Sequence, residues 1–219
     1  MRYHSCRAAP RLTHPWRPSP PSHPSHRAAG RSVNPKEAIL DLGSHFLENS
    51  RREFRGVKAL ADKAIAQLDD AQFFAAPDAE SNSVAINVKH VAGNLRSRWT
   101  DFLTTDGEKP DRHRDTEFEI GPEDTRAALQ QRWEAGWAVL FAALEPLSPA
   151  ECLRTVLIRG EPHTVVQAVQ RQLTHYGYHA GQIVFLAKQH RVAAWNTLSV
   201  PRRQSAEFNA RMQEKFGKK

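Results

Sequence analysis

The residues best suited to chemistry in this 219-residue chain lie in Thr174-His175-Tyr176-Gly177-Tyr178-His179-Ala180-Gly181-Gln182. Histidines four positions apart on a helix share one face, with Cβ atoms roughly 6 Å apart, so two imidazoles can converge on one ion. Gln182 falls on the same face, seven residues after His175. Leu173, Tyr176, Ile183 and Leu186 flank that face as core residues. The histidines therefore point near the interior, where a free polar ring needs a partner. His90 offers one, beside an apolar stripe of Val84, Val88, Val91 and Leu95. Gly93, three residues after His90, gives a neighbouring helix room to approach, and Gly177 and Gly181 do the same around His179. A lone core histidine is usually a packing residue; the His-x-x-x-His pair with adjacent glycines makes a metal site at His90, His175 and His179 as weighty a reading as packing. His45, His113, His163 and His190 lack such context, and Trp99, Trp133 and Trp137 read as core.

Three neutral imidazoles would leave a dication's charge intact and at least one coordination position open, as in catalytic rather than structural sites. Water bound there becomes acidic enough to act as a nucleophile near neutral pH. Asn87, Asn94, Tyr178 and Gln182 are candidates to hydrogen-bond and orient the ligands. Arg96 and Arg98 could receive an anionic co-substrate, although a solvated surface role is the heavier reading for each. Histidine-rich sites accept several first-row ions, so the metal itself is not specified.

The elements that must position these residues are helices. Apolar residues from Ile39 through Leu42, Phe46, Phe54, Val57, Leu60 and Ala64 to Leu68 recur at helical steps, predicting a first helix over about 36–68, with Asn34 as its cap and Pro35 in its first turn. A connection over 69–82 precedes a second helix over about 83–104, with Val84, Val88, Val91, Leu95, Trp99 and Phe102 inward. The charged stretch 108–121 is long for a bundle loop, and loops of that length are often functional. A third helix is expected just after Gly121, with Pro122, Glu123 and Asp124 in its first turn, ending near Leu144. Arg154–Ile158 and Pro162–Val165 around Arg159-Gly160-Glu161 predict a hairpin, which must pack on the helices because two strands alone are marginal. A fourth helix is expected over about 165–190, and the tail to Phe216 holds a short amphipathic fifth. The predicted fold is all-α: a four-helix up-down bundle with a small β-hairpin before the last long helix.

The net charge of +7 is concentrated in the first 35 residues, which hold six arginines, seven prolines and no acid. Without that stretch, 25 basic residues face 24 acidic ones. A folded nucleic-acid binder carries its excess on one face of the domain, so this distribution argues against nucleic acid as a partner. Residues 1–34 read as a disordered extension and 35–219 as the folded domain. No stretch approaches the roughly 18 apolar residues of a membrane span. Two distant cysteines, Cys6 and Cys152, give no disulfide framework, which fits a reducing, cytoplasmic setting.

The run Ser83-Val-Ala-Ile-Asn87-Val-Lys-His90-Val-Ala-Gly-Asn94-Leu-Arg-Ser-Arg-Trp99, taken with His175 to Gln182, resembles the DinB/YfiT-like superfamily of metalloenzymes, and within it an uncharacterised branch. Thr104-Thr105-Asp106-Gly107-Glu108-Lys109, Arg159-Gly160-Glu161-Pro162-His163 and Ser199-Val200-Pro201 extend the resemblance over about residues 38–210. It implies a four-helix bundle holding one zinc, nickel or other first-row divalent ion by one histidine of the second helix and two of the fourth, positions that match His90, His175 and His179. It also implies, as in some relatives, a low-molecular-weight thiol as co-substrate of an S-transferase, and a homodimer. The expected function is a metal-dependent enzyme activating such a thiol or water. The alternatives are a metal-stabilised stress or binding protein without turnover, and a nucleic-acid binder working through the arginine-rich tail.

Overall fold

The computed structural model describes residues 35–217, with side chains from residue 42 onward; the predictions for residues 1–34, including Cys6 and the capping role of Asn34, lie outside them. The described residues fall in a compact unit, Asn34–Lys219. They form six α-helices and one hairpin, in the order α1 (Pro35–Ile65), α2 (Asp70–Phe74), α3 (Val84–Trp99), α4 (Arg126–Leu144), β1 (Thr155–Ile158), β2 (Glu161–Thr164), α5 (Val165–Arg191) and α6 (Ser205–Phe216), with short 3-10 turns between. The molecule is mostly helical, and the hairpin precedes the last long helix as expected.

α3 packs along α4, and α1 along α5; α3 meets α5 more lightly. The core between them is built of Phe54, Val88, Leu95, Trp99, Leu129, Trp133, Trp137, Leu140, Tyr176 and Ile183. Close approach of α3 and α4 is set at Gly136, where a Cβ would come within 3.0 Å of Leu95 Cβ and 3.2 Å of the Ala92 carbonyl. Arg51 of α1 donates to the carbonyls of Leu144 (2.7 Å), Glu145 (3.1 Å) and Leu147 (3.2 Å), satisfying acceptors that a helix end leaves without internal partners.

Three boundaries differ from the predicted ones, each for a local reason. α3 stops at Trp99 rather than near 104, because Thr100 is extended and Asp101 has φ 48°. α4 starts four residues later than Pro122: Thr125 caps it through Ala128 N–H (3.2 Å). Asp124 is committed instead to Gly121 N–H (2.9 Å), Lys89 (2.6 Å) and Arg132 (2.5 Å). α1 ends at Ile65, and its predicted stripe is partly misphased, since Leu42 and Leu60 are exposed while Leu47, Ala61 and Ile65 are buried. The connection after it holds α2, started by a reciprocal Asp69–Gln72 capping box.

The hairpin pairs Thr155–Ile158 with Glu161–Thr164 across the two-residue turn Arg159-Gly160. Both turn residues have positive φ (57° and 77°), as the favoured two-residue hairpin turn requires. Asp106 accepts the N–H groups of Arg159 (2.8 Å) and Gly160 (2.7 Å), and Gly107 N–H donates to Leu157 O (2.8 Å). These bonds tie the turn to the segment after α3, while Val156 and Ile158 are buried beneath.

Candidate metal centre

α3 and α5 present the three predicted histidines to one point. α3 is started by Ser83, whose Oγ accepts Ile86 N–H. α5 is started by Thr164 and Gln167, each side chain accepting the other's backbone N–H (3.2 and 2.8 Å). His175 and His179, one turn apart on α5, then face His90 of α3. Nε2 of His175 lies 3.4 Å from Nε2 of His90 and 3.2 Å from Nε2 of His179. One ligand atom from each ring can be chosen so that all three lie within 4.8 Å of one another. A tetrahedral ion with nitrogens at 2.0–2.1 Å requires them about 3.3–3.4 Å apart; the two measured separations are of that size.

The far nitrogens decide the protonation pattern. His90 Nδ1 is 2.8 Å from a carboxylate oxygen of Glu117, which can only accept, so Nδ1 carries the proton. Asn87 donates its amide to Ser83 O (2.9 Å), which turns its Oδ1 toward His179 Nδ1 at 2.9 Å. That nitrogen is therefore also the donor. In their neutral forms His90 and His179 therefore each present an Nε2 lone pair, and both Nε2 atoms face His175 Nε2. A single proton on His175 Nε2 could serve one of them and not both. His175 Nδ1 is itself buried without a partner. A cation among the three Nε2 atoms satisfies every lone pair at once, so the residues fit a metal ion. Burial, reinforced by the neighbouring His179 and His90 rings and by Arg112 and Arg98, pushes the His175 pKa down to about 3. Burial and His90 push that of His179 down to about 4. Both rings are neutral at pH 7, as metal binding requires.

The four residues expected to orient the ligands divide. Asn87 meets His179 directly, through its Oδ1. Asn94 does not touch the imidazoles: its Oδ1 accepts from Tyr176 OH (3.0 Å), which in turn accepts from Trp99 Nε1 (3.1 Å). Tyr178 is 62% exposed and meets the His179 ring in a T-shaped contact, at 5.1 Å between centroids. Gln182 lies close enough to His179 to oppose the lowering of its pKa, although its buried Oε1 makes no hydrogen bond of ordinary geometry; with Asn87, Tyr178, Gly181 and Phe185 it lines an open cleft of about 730 Å³. Arg98 is buried and engaged by Gly107 O and Glu108 (2.8 Å), and Arg96 pairs with Asp111. Gly93 admits a side chain rather than a helix, since a Cβ there would overlap the Glu117 carboxylate; Gly177 and Gly181 face open space.

Sequence reasoning missed Glu117, Arg112 and Phe118. All three belong to the charged stretch 108–121, whose length was the one available signal. Glu117 is buried and receives Arg112 in bidentate fashion, Nε to Oε1 and Nη2 to Oε2, both 2.8 Å. Burial alone would raise its pKa, but the hydrogen bonds from Arg112 and His90 hold the carboxyl below its usual range. Phe118 lies against the His90 ring at 4.8 Å and Arg114 over Phe118 at 4.9 Å.

Among the described residues no helix is long and apolar enough to cross a membrane, and Cys152 is a buried free thiol. Comparison with curated proteins and with solved structures finds no match. A family model described as "Protein of unknown function (DUF1572)" matches residues 41–204, a span that contains all three histidines together with Glu117 and Asn87, and the chain belongs to that family.

Proposed function

We propose that His90, His175 and His179 hold one divalent first-row metal ion, and that the protein is a metal-dependent enzyme acting on a low-molecular-weight thiol or on water. The observation that carries this reading is the convergence of the His90 and His179 Nε2 atoms on His175 Nε2, at 3.4 and 3.2 Å. The fold reading that accompanies it is a DinB/YfiT-like four-helix up-down bundle of α1, α3, α4 and α5 over residues 35–219, with 1–34 as an extension.

A bound ion of this kind lowers the pKa of a coordinated thiol or water and leaves a nucleophile at neutral pH. The chain's own part is to keep His175 and His179 neutral by burial and to hold the His90 and His179 tautomers through Glu117 and Asn87. Asn87 also lines the cleft beside the site, which makes that cleft the place for a co-substrate. A thiol partner suits a reducing, cytoplasmic setting, and a homodimer is the expected assembly.

A second reading, a metal-stabilised protein without turnover, is favoured by the placement of ligands on two different helices, two of them buried. Elemental analysis of untagged protein separates these from a non-metal role. About one ion per chain is expected, falling to near zero in His175→Ala; unchanged metal in that variant would remove the assignment. Thiol-conjugation assays on the loaded protein then divide enzyme from stabilised scaffold.

A further inference from the structure

Resting on the metal reading above, we propose that Glu117 is a positioning residue that sets the metal affinity of the site through His90, and that Gly93 is the notch in α3 that admits it. Three independent observations meet here. The Glu117 carboxylate is buried and accepts His90 Nδ1–H at 2.8 Å, on the side of the ring opposite the other two histidines. Its position is fixed by the two-pronged grip of Arg112, and a fork of this kind specifies direction as well as attraction. Its other oxygen lies where the Cβ of any residue but glycine at position 93 would be.

The physical consequence falls on His90. A ring anchored at Nδ1 presents its Nε2 lone pair along a fixed line, and an anionic acceptor makes that nitrogen a better electron donor. Partners of this sort behind a ligand are worth about 10–100-fold in metal affinity. Arg112 also contacts Glu108 (3.4 Å), which Arg98 (2.8 Å) and Arg159 (3.1 Å) share. Glu108 is thus a built-in control: it belongs to the same ion-pair network but meets Arg112 only at Nη1, the nitrogen that Glu117 does not use, and makes no hydrogen bond to a histidine.

The test is competition of zinc between the full-length protein and a calibrated chelator, with the visible spectrum of the cobalt-loaded protein and the melting temperature of metal-free protein as second and third readouts. Glu117→Gln is expected to weaken zinc by about 10–100-fold and to shift the cobalt bands, while Glu108→Gln leaves both as in the parent. A Glu117→Gln protein that binds zinc as tightly as the parent, with an unchanged cobalt spectrum and only a lower metal-free melting temperature, overturns the proposal and makes Glu117 a structural ion-pair partner. Should Glu117→Gln not fold, Gly93→Ala decides. It deletes no polar group and favours the helix, so weakened zinc binding supports the proposal and undiminished binding overturns it. If the parent binds no metal, or His175→Ala binds as much, the metal reading falls and this proposal with it. Failure of this proposal alone leaves the parent loaded and His175→Ala empty.

Discussion

The imidazole of His179 is held from behind by one amide oxygen, and that oxygen is aimed by a second bond to Ser83 O. Asn87→Ala removes both, so zinc affinity is expected to drop about 10–100-fold in chelator competition while one ion per chain still binds at saturation. Tyr176 makes a contrasting case. Its hydroxyl bridges Trp99 and Asn94 in the core without reaching the histidines. Tyr176→Phe leaves a buried donor and a buried acceptor unpaired, an expected loss of about 1–3 kcal/mol in denaturant unfolding, with metal content unchanged. These two residues also mark what could be read in advance. The pair His175/His179 was legible because a four-residue step fixes a shared helical face, and His90 because it borders a clear apolar stripe. Asn94 follows His90 by the same step but is claimed by Tyr176, which no spacing rule reveals. Glu117 was invisible because a loop residue 27 positions from His90 acquires its role only from the notch at Gly93.

Helix α5 carries two of the three clustered histidines, and its start rests on a reciprocal bond pair between Thr164 and Gln167. Thr164→Ala should cost about 0.5–2 kcal/mol of stability without lowering metal per chain, because His175 lies three turns downstream. The turn before α4 is organised by Asp124, whose side chain is fully buried. Burial would raise its pKa, but hydrogen bonds from Lys89, Gly121 N–H and Arg132 outweigh that and hold it below its ordinary value of 3.8. A carboxylate whose folded pKa is depressed stabilises the fold above the unfolded value, and that contribution is lost as pH falls through the folded one. Melting temperatures taken from pH 6 down to pH 2 should therefore fall less steeply below about pH 4 in Asp124→Asn than in the parent; parallel curves would contradict the assignment. The same residue explains why the sequence misplaced the start of α4. Asp124 looks like a first-turn acid, yet it is spent on the loop, and Thr125 caps instead. Element types were readable from apolar period and turn residues, whereas the exposed Leu42 and Leu60 show that the phase of α1 depends on which neighbours it meets.

At the level of the molecule, all three histidines and the residues that orient them lie within the unit Asn34–Lys219. The helices within that unit associate chiefly in two couples, α3 with α4 and α1 with α5, and the direct contact between α3 and α5 is lighter. His90 belongs to one couple, His175 and His179 to the other. An ion at their meeting point would rivet two halves that otherwise share a thinner seam. Stripping it should then leave each half well protected while backbone amides along the seam trade deuterium faster, a pattern of sub-global opening rather than general loosening. Loading state would be readable from the backbone, some distance from any bond being made or broken.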